Sequence, residues 1–510
     1  MLVKILLLLI FFGSMIGVGI YARKGASNTT DFVLGGRSVG PWLTAFAYGT
    51  SYFSAVVFVG YAGQFGWKYG LASTWIGLGN AFIGSLMAWV LMGRRTRVMS
   101  HHLEAATMPD YFGKRYDSNA LRIAASAISF IFLIPYTASV YNGLSRLFGM
   151  AFDIPYAVCV ITMAVLTGVY VIMGGYLATA INDFIQGIIM LVGIALVIVA
   201  VLSGQGGFME AVRKLSEIPS DVPATLGQQG AFTSFFGTDP INLVGVIVLT
   251  SLGTWGLPQM VHKFYAIKSE HAIKTGTIVS TAFAIIVSGG CYFLGGFGRL
   301  FDSEAIYAAN GTVMYDAIVP TMLSGLPDIL IGIVIVLVLS ASMSTLSSLV
   351  LTSASTLTLD FIKDNIVKKM DDKKQLLYIR VLIVFFIAVS VIIALDPPTF
   401  IAQLMGISWG ALAGAFLAPF LYGLYWKGVT KAGVWASFVC GVGITVLNMF
   451  FKFIESPINA GAIAMVAGLV VTPLVSLVTK KMEKSKVEKI FECYNKTVNV
   501  PEKEYLKEVS

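Results

Sequence analysis

A hydroxyl-rich segment follows an apolar run in the second half of the chain. Residues 340–356, SASMSTLSSLVLTSAST, carry ten Ser and Thr hydroxyls. Six of them, with Ala341, recur at the spacing of one helix face and fall within an arc of roughly 120°. Such a face supplies the oxygen atoms that a dehydrated sodium ion needs. Small polar residues are also typical of close packing between membrane helices, so the segment alone leaves both interpretations open.

Two other stretches predict interrupted helices. Residues 45–66 are apolar overall, and we expect the helix to unwind between Gly49 and Ser54, although a glycine-rich packing helix is the alternative. Residues 249–259 contain Pro258 close to two glycines, which would interrupt a helix. An unwound helix turns carbonyl oxygens towards the bundle. Broken helices in matching positions of two inverted repeats are typical of transporter binding sites.

One acidic residue lies inside an apolar run. Asp183 is placed near the start of a predicted helix, between the polar residues Asn182 and Gln186. An ionisable residue within a membrane helix is a candidate for function. The alternative is an acid at the water boundary, where the positive end of the helix dipole favours it.

The composition predicts an all-α polytopic membrane protein. The chain has 510 residues, of which 56% are hydrophobic and 12% charged, whereas a soluble chain usually has about 25% charged residues. Apolar runs long enough to cross a bilayer recur from end to end and predict about thirteen transmembrane helices. The predicted spans are 3–22, 41–66, 71–93, 120–148, 155–176, 180–203, 240–262, 275–298, 328–360, 377–396, 399–424, 431–452 and 460–479.

The distribution of basic residues predicts the orientation. With the N-terminus outside, about four-fifths of the 35 Lys and Arg residues fall in inner loops and the C-terminal tail. We therefore expect a multi-pass protein of the cell membrane with an outer N-terminus and a cytoplasmic C-terminus. The first apolar stretch lacks an evident cleavage site, which favours a retained helix over a secretory signal.

Several function classes are not expected from this sequence. The phosphate-binding loop GxxxxGK[ST] is absent, which argues against ATP-driven transport by this chain. We found no set of nucleophile and base and no metal cluster, so an enzyme is not expected. The net charge of +8 is explained by the inner loops, and a nucleic-acid partner is not expected. About 30 residues follow the last predicted helix, too few for the signalling domain of a membrane sensor.

Five motifs, in order along residues 30–450, resemble the sodium:solute symporter family of proline and pantothenate permeases and sodium–sugar and sodium–sialic acid symporters. One departure is Asn182, which stands where the family usually has Thr. The motifs are DFVLGGRSVG (31–40), MPDYFGKRY (108–116), GGYLATAINDFIQ (174–186), SASMSTLSSL (340–349) and GALAGAFLAPFLYGLYWKGVTKAGV (410–434).

The resemblance implies a leucine-transporter-type fold with two inverted repeats of five helices. The predicted division of the chain is a first transmembrane helix and cytoplasmic loop (1–39), inverted repeat 1 (40–203), an extracellular loop (204–239), inverted repeat 2 (240–424), two extra transmembrane helices (425–480) and a cytoplasmic tail (481–510).

The resemblance also implies sodium-coupled secondary active import of a small organic solute by alternating access, with sodium as the coupling ion. A monomer in the lipid bilayer is expected to be the functional unit. An amino acid or a carboxylate is the favoured solute, and a sugar or pantothenate-type solute is the alternative. A carrier of the same fold that couples to protons through Asp183 is a second alternative.

Matching motif to motif assigns the site residues. The implied sodium site comprises the carbonyls of Thr50, Phe53 and Ala341 and the hydroxyls of Ser344 and Thr345. A second sodium position would use Asp183, Ser347 and Ser348. The implied solute contacts are Ser51, Tyr52, Ser54, Trp75, Ser251, Thr254 and Trp255. Tyr52 stands where proline permeases have Asp, and Thr254 where they and the sugar transporters have Tyr, so matching side chains support neither proline nor a sugar.

Overall fold

The computed structural model describes residues 2–23, 28–152, 154–363, 365–396 and 401–495, and these residues are almost entirely helical. Helices dominate because the backbone of a membrane segment must satisfy its own hydrogen bonds. The long helices and the segments that continue them are α1 (Leu2–Ala22), α2 (Pro41–Tyr52), α3 (56–69), α4 (74–102), α5 (Asn119–Phe152), α6 (Tyr156–Gly204), α7 (Pro240–Gly256), α8 (Pro258–Ala266), α9 (Glu270–Gly295), α10 (Asp328–Ile362), α11 (Asp372–Leu395), α12 (Ile401–Tyr425), α13 (Lys431–Phe451) and α14 (Pro457–Val478).

Shorter helices lie in the connections and in the tail. They are Thr29–Leu34, Met108–Arg115, Phe208–Glu217, Tyr315–Ser324 and Lys484–Phe491.

Among the described residues, ten helices are long and apolar enough to cross a membrane, or eleven if the bent pair α7 and α8 forms one crossing. The prediction of an all-helical membrane protein is therefore confirmed, while the count of about thirteen crossings stays a prediction. The 49 residues of α6 would extend roughly 70 Å, more than twice the thickness of the hydrocarbon core. Inside α6, Gly175 has φ 54° and ψ −143°, a conformation that glycine adopts without steric cost.

Two helices are interrupted, as the glycine and proline patterns predict. Between α2 and α3 the chain is extended at Phe53, with φ −93° and ψ 114°. Between α7 and α8 it is extended at Leu257, with φ −86° and ψ 122°, and Pro258 opens the next helix. The α7 and α8 axes differ in direction by 45°. Both breaks leave terminal backbone groups without intrahelical partners.

The hydroxyl-rich segment of α10 lies at the centre of the bundle. Every residue from Leu337 to Thr356 is buried. The helix packs against α1, α2, α5, α6, α8 and α11. The hydroxyl face therefore lies inside the protein.

Helices α3 and α9 cross with their backbones in contact. A Cβ atom on Gly66 would collide with the backbone carbonyl of Gly295, and one on Gly295 would collide with the carbonyl of Ala62. We expect Gly66→Ala to destabilise the protein by about 1–3 kcal/mol, because backbone atoms cannot rotate away from the added methyl group. The melting temperature in detergent would measure this loss. Gly443→Ala, in α13, is the control, since its Cβ meets no atom within 4 Å. Equal melting temperatures of the two variants would contradict the predicted close crossing.

The C-terminal segment 484–495 is held against the ends of α4 and α12. The Tyr494 hydroxyl donates to the carbonyl of Leu424 at 2.8 Å. The Arg95 guanidinium lies between two rings, 4.0 Å from that of Tyr425 and 4.5 Å from that of Tyr494. The Lys486 ammonium lies 3.0 Å from the Asp117 carboxylate and holds the pKa of that carboxyl below its usual range. The part of the predicted tail that follows residue 495 lies outside the described residues.

Candidate functional site

The break after α2 brings backbone carbonyls to the hydroxyl face of α10. The Ser344 hydroxyl lies 3.2 Å from the carbonyl oxygen of Thr50 and 3.0 Å from that of Ala341. The Thr345 hydroxyl lies 3.2 Å from the carbonyl oxygens of Thr50 and Phe53, and 3.1 Å from that of Ala341. All five residues are at most 1% exposed. The structure thus brings together the whole residue set expected for the main sodium site, which we call the five-oxygen cluster.

Hydrogen bonding alone does not account for the five-oxygen cluster. A threonine hydroxyl has a single proton, yet the Thr345 hydroxyl oxygen has three carbonyl oxygens within 3.2 Å. Oxygens that share a hard cation at about 2.3–2.6 Å, the range of calcium sites, lie roughly 3.2–3.7 Å apart across a right angle. The observed separations are close to that range. The cluster can therefore hold a small dehydrated cation of low charge.

The residues expected at the second sodium position lie beside this cluster. Asp183 is fully buried in α6, and no hydrogen-bond donor reaches its carboxylate oxygens among the described residues. It lies well inside the helix segment that follows Gly175, so the interpretation as an acid at the water boundary is wrong. The Ser347 hydroxyl donates to the carbonyl of Ser344 at 2.9 Å. Ser348 is also buried, on the same helix.

A buried lysine connects two of these three residues. The Lys263 ammonium, on α8, donates to the Ser348 hydroxyl at 3.0 Å and lies 3.8 Å from the Asp183 carboxylate. Its side chain is 2% exposed. The sequence analysis missed it, because the predicted span ended at residue 262 and Lys263 was counted as a loop cation. The available signal was its position in MVHKFY, with apolar residues on both sides.

The Ser348 hydroxyl also contacts the first broken helix. It lies 2.9 Å from the hydroxyl of Ser51, which also donates to the carbonyl of Ala47. Ser51 is the neighbour of Thr50, whose carbonyl belongs to the five-oxygen cluster. The buried lysine and the cluster are therefore joined through two serine hydroxyls.

Three of the expected solute residues lie together on α7 and contact α4. The Ser251 hydroxyl donates to the Asn80 side-chain oxygen at 3.0 Å, and the Thr254 hydroxyl to the Gly84 carbonyl at 3.1 Å. The Trp255 indole donates to the Ile83 carbonyl at 3.0 Å. Asn80 was missed by the sequence analysis, although an amide within the apolar run 71–93 was a visible signal.

The remaining expected solute residues are more dispersed. Ser54 is buried at the break, where its hydroxyl accepts from the backbone N–H of Val56 at 3.2 Å. The Trp75 indole donates to the Phe235 carbonyl at 3.0 Å, and the two rings lie 4.8 Å apart. Trp75 is therefore held by the loop between α6 and α7. The side chain of Tyr52 lies outside the described part of the structure.

Comparison with known proteins identifies the family. A sequence model described as the sodium:solute symporter family matches residues 32–441. The chain belongs to this family. The symporter is 27% identical over 484 residues to the osmoregulated proline transporter OpuE of Bacillus subtilis (strain 168), covering 93% of this chain and 95% of that protein. It is 29% identical over 502 residues to the sodium/proline symporter of Staphylococcus aureus (strain JH9), with 94% and 92% covered.

Solved structures show the same fold. The structure described as the substrate-bound outward-open state of a Na+-coupled sialic acid symporter aligns with a TM-score of 0.73 at 15% identity, over 94% of this symporter and 99% of that chain. The nucleobase-cation-symport-1 family transporter Mhp1 aligns with a TM-score of 0.53 at 12% identity, over 90% and 98%. The predicted leucine-transporter-type fold class is confirmed.

Family membership confirms the functional class expected from the motifs. The symporter is a multi-pass membrane transporter that couples the movement of a small organic solute to sodium, and it is not an enzyme.

Proposed function

We propose that the symporter imports a small amino acid or carboxylate together with a sodium ion that binds in the five-oxygen cluster of Thr50, Phe53, Ala341, Ser344 and Thr345. The observation that carries this proposal is the convergence of three carbonyl and two hydroxyl oxygens, all buried, at the break between α2 and α3. A sodium ion there links α10 to the broken helix. It thereby stabilises the conformation in which Ser51 and Ser54 face the solute.

The membrane potential and the sodium gradient supply the energy for import. Moving one charge through 100 mV is worth about 2.3 kcal/mol. A tenfold sodium gradient adds about 1.4 kcal/mol. Together they support accumulation of a neutral solute on the order of several hundredfold per sodium ion.

The proposal includes the arrangement in the membrane. The N-terminus lies outside and the C-terminus in the cytoplasm of a cell membrane, which the concentration of Lys and Arg in alternate loops supports. Residues 40–203 and 240–424 are the two inverted repeats, which is supported by helix breaks at Phe53 and Leu257, near corresponding points of the two. The functional unit is the monomer.

The proposed solute site lies between the broken helices. It comprises Ser51, Tyr52, Ser54, Trp75, Ser251, Thr254 and Trp255. Support for an amino acid or carboxylate comes from relatives named for proline and sialic acid. Tyr52 and Thr254 depart from the residues that proline permeases carry, so we propose a solute that differs from proline in its contacts at these positions.

Uptake by the purified protein in liposomes tests the proposal. Radiolabelled amino acids and small carboxylates, including proline, are offered with an inward sodium gradient and, in parallel, with potassium or choline. We expect at least one solute to accumulate in the liposomes when sodium is present, and none to accumulate in potassium or choline. Equal uptake in the three salts would contradict sodium coupling. Uptake that persists without sodium and collapses with a protonophore would instead favour the proton-coupled carrier.

Ser251→Ala tests the solute site on α7. Its hydroxyl donates to Asn80, and both residues lie on the face between α7 and α4. In the proposed solute site the Ser251 hydroxyl oxygen accepts a hydrogen bond from the solute, and the loss of such a bond costs about 1 kcal/mol. We expect the solute concentration for half-maximal uptake to rise roughly fivefold or more, with an unchanged sodium requirement. Ser390→Ala is the control, since that hydroxyl donates to the carbonyl of Phe386 in its own helix. A rise in the sodium requirement alone would contradict the assignment.

A further inference from the structure

Lys263 presents a buried positive charge at the position where the sequence predicts a second sodium ion. In the described part of the chain its ammonium lies near groups on two helices: the Ser348 hydroxyl at 3.0 Å, the Asp183 carboxylate at 3.8 Å and the Tyr176 ring at 5.2 Å. Both charged side chains are at most 2% exposed. Buried charges persist in a protein interior only when they are paired, so the ammonium and the carboxylate depend on each other.

The ammonium and a second sodium ion would require the same oxygens. Asp183 and Ser348 are two of the three ligands expected for that ion. Both cations carry one positive charge and both are satisfied by oxygen. The single carboxylate neutralises only one of them, and a second cation would be repelled strongly in a site that excludes water.

The lysine is also connected to both broken helices. It lies on α8, directly after the second break, and it reaches the first broken helix through Ser348 and Ser51. Ser51 precedes the break at Phe53 and follows Thr50 of the five-oxygen cluster. A charge at Lys263 is therefore placed to hold the two broken helices together in the way that an ion would.

We propose that the Lys263 ammonium is a tethered cation that permanently takes the place of the second sodium ion, so that this symporter binds one sodium per transport cycle. The inference rests on the proposed function, because it presumes that sodium binds in the five-oxygen cluster. It identifies Lys263 as the residue that sets the ion stoichiometry, with Asp183 and Ser348 as its partners.

Binding of radioactive sodium to the purified protein tests this proposal without knowledge of the solute. The number of bound sodium ions per chain is measured at saturation in detergent. No solute is added, and choline keeps the ionic strength constant. We expect one ion for the wild type. Lys263→Ser removes the tethered charge and frees Asp183 and Ser348, and we expect two ions. The double variant Lys263→Ser with Asp183→Asn lacks the carboxylate, and we expect the number to return to one.

A further variant identifies which site the wild-type ion occupies. Ser344→Ala combined with Thr345→Ala removes both side-chain ligands of the five-oxygen cluster, and we expect it to bind no sodium at the concentration that saturates the wild type. An ion that remains in this variant with unchanged affinity would lie outside the cluster and would overturn the inference.

The other outcomes separate the inference from the proposed function. Two ions bound to the wild type would overturn the tethered cation while leaving sodium coupling intact. No bound ion would contradict sodium coupling and, with it, the inference. One ion bound to a folded Lys263→Ser variant would show that the lysine displaces none. If that variant cannot be purified, the wild-type number alone decides between one and two ions.

Discussion

Ser344→Ala and Thr345→Ala are each expected to raise the sodium concentration that half-saturates the protein by roughly 10- to 150-fold. Each hydroxyl is one of five oxygens in the cluster, and its removal leaves the bound ion without a ligand that water cannot easily replace in a buried site. An interaction of a polar group with a charge is worth about 1.5–3 kcal/mol, which corresponds to this range. The measurement is the rise in melting temperature with sodium at constant ionic strength, which requires no solute.

The matched control for these two variants lies on the same helix. Ser355 is buried on the same face of α10, but its hydroxyl donates to the carbonyl of Leu351 in its own helix, at 2.6 Å. Ser355→Ala removes a hydroxyl of the same kind without touching the five-oxygen cluster, and we expect its sodium dependence to match the wild type. A wild-type sodium dependence in Ser344→Ala and Thr345→Ala would refute the proposed location of the ion.

Asp183→Asn and Lys263→Met are each expected to destabilise the protein by about 3–5 kcal/mol, because each leaves an unpaired charge in the interior. The double variant has neither charge. We expect it to recover most of the loss, so that the effects of the two substitutions are strongly non-additive. Melting temperatures in choline, without sodium, measure the cycle and prevent an added ion from replacing the lost ammonium.

An exposed ion pair serves as the control for this cycle. Lys486 and Asp117 have side chains that are 55% and 59% exposed. Ion pairs in contact with solvent contribute little to stability, so Lys486→Met is expected to change the melting temperature little. Additive effects in the Asp183 and Lys263 cycle, of the size seen for Lys486→Met, would contradict the buried pair.

The residues of the five-oxygen cluster could be predicted from the sequence, because they lie in two short segments whose local patterns are recognisable. The spacing of Ser344 and Thr345 follows from helical periodicity, and the break near Phe53 from the glycines and hydroxyls around it. The motif resemblance then named all five residues, and α10 and the broken helix meet as that assignment requires. Whether sodium binds there stays a prediction.

The burial of Lys263 was not predicted, although the apolar residues around it in MVHKFY were a signal. A lysine at the end of an apolar run usually extends to the water boundary, which is how the charge count treated it. Its burial depends on the bend between α7 and α8, which brings α8 against α10 and places the Lys263 ammonium 3.8 Å from Asp183 of α6. The contact between Trp75 and Phe235 likewise depends on a long loop whose path no periodic pattern specifies. The number of membrane crossings is also hard to predict from the sequence. The apolar stretch that forms α6 is interrupted at Gly175, where the backbone leaves the helical conformation.

The docked segment 484–495 links the ends of α4 and α12. The Tyr494 hydroxyl donates to the carbonyl of Leu424 on α12. The Tyr494 ring also contacts the guanidinium of Arg95 on α4. The two helices belong to different predicted repeats. Any motion that parts their neighbouring ends must first pull the Tyr494 ring away from Arg95 or its hydroxyl away from Leu424. Separation of these two helix ends therefore depends partly on residues far along the chain from either broken helix.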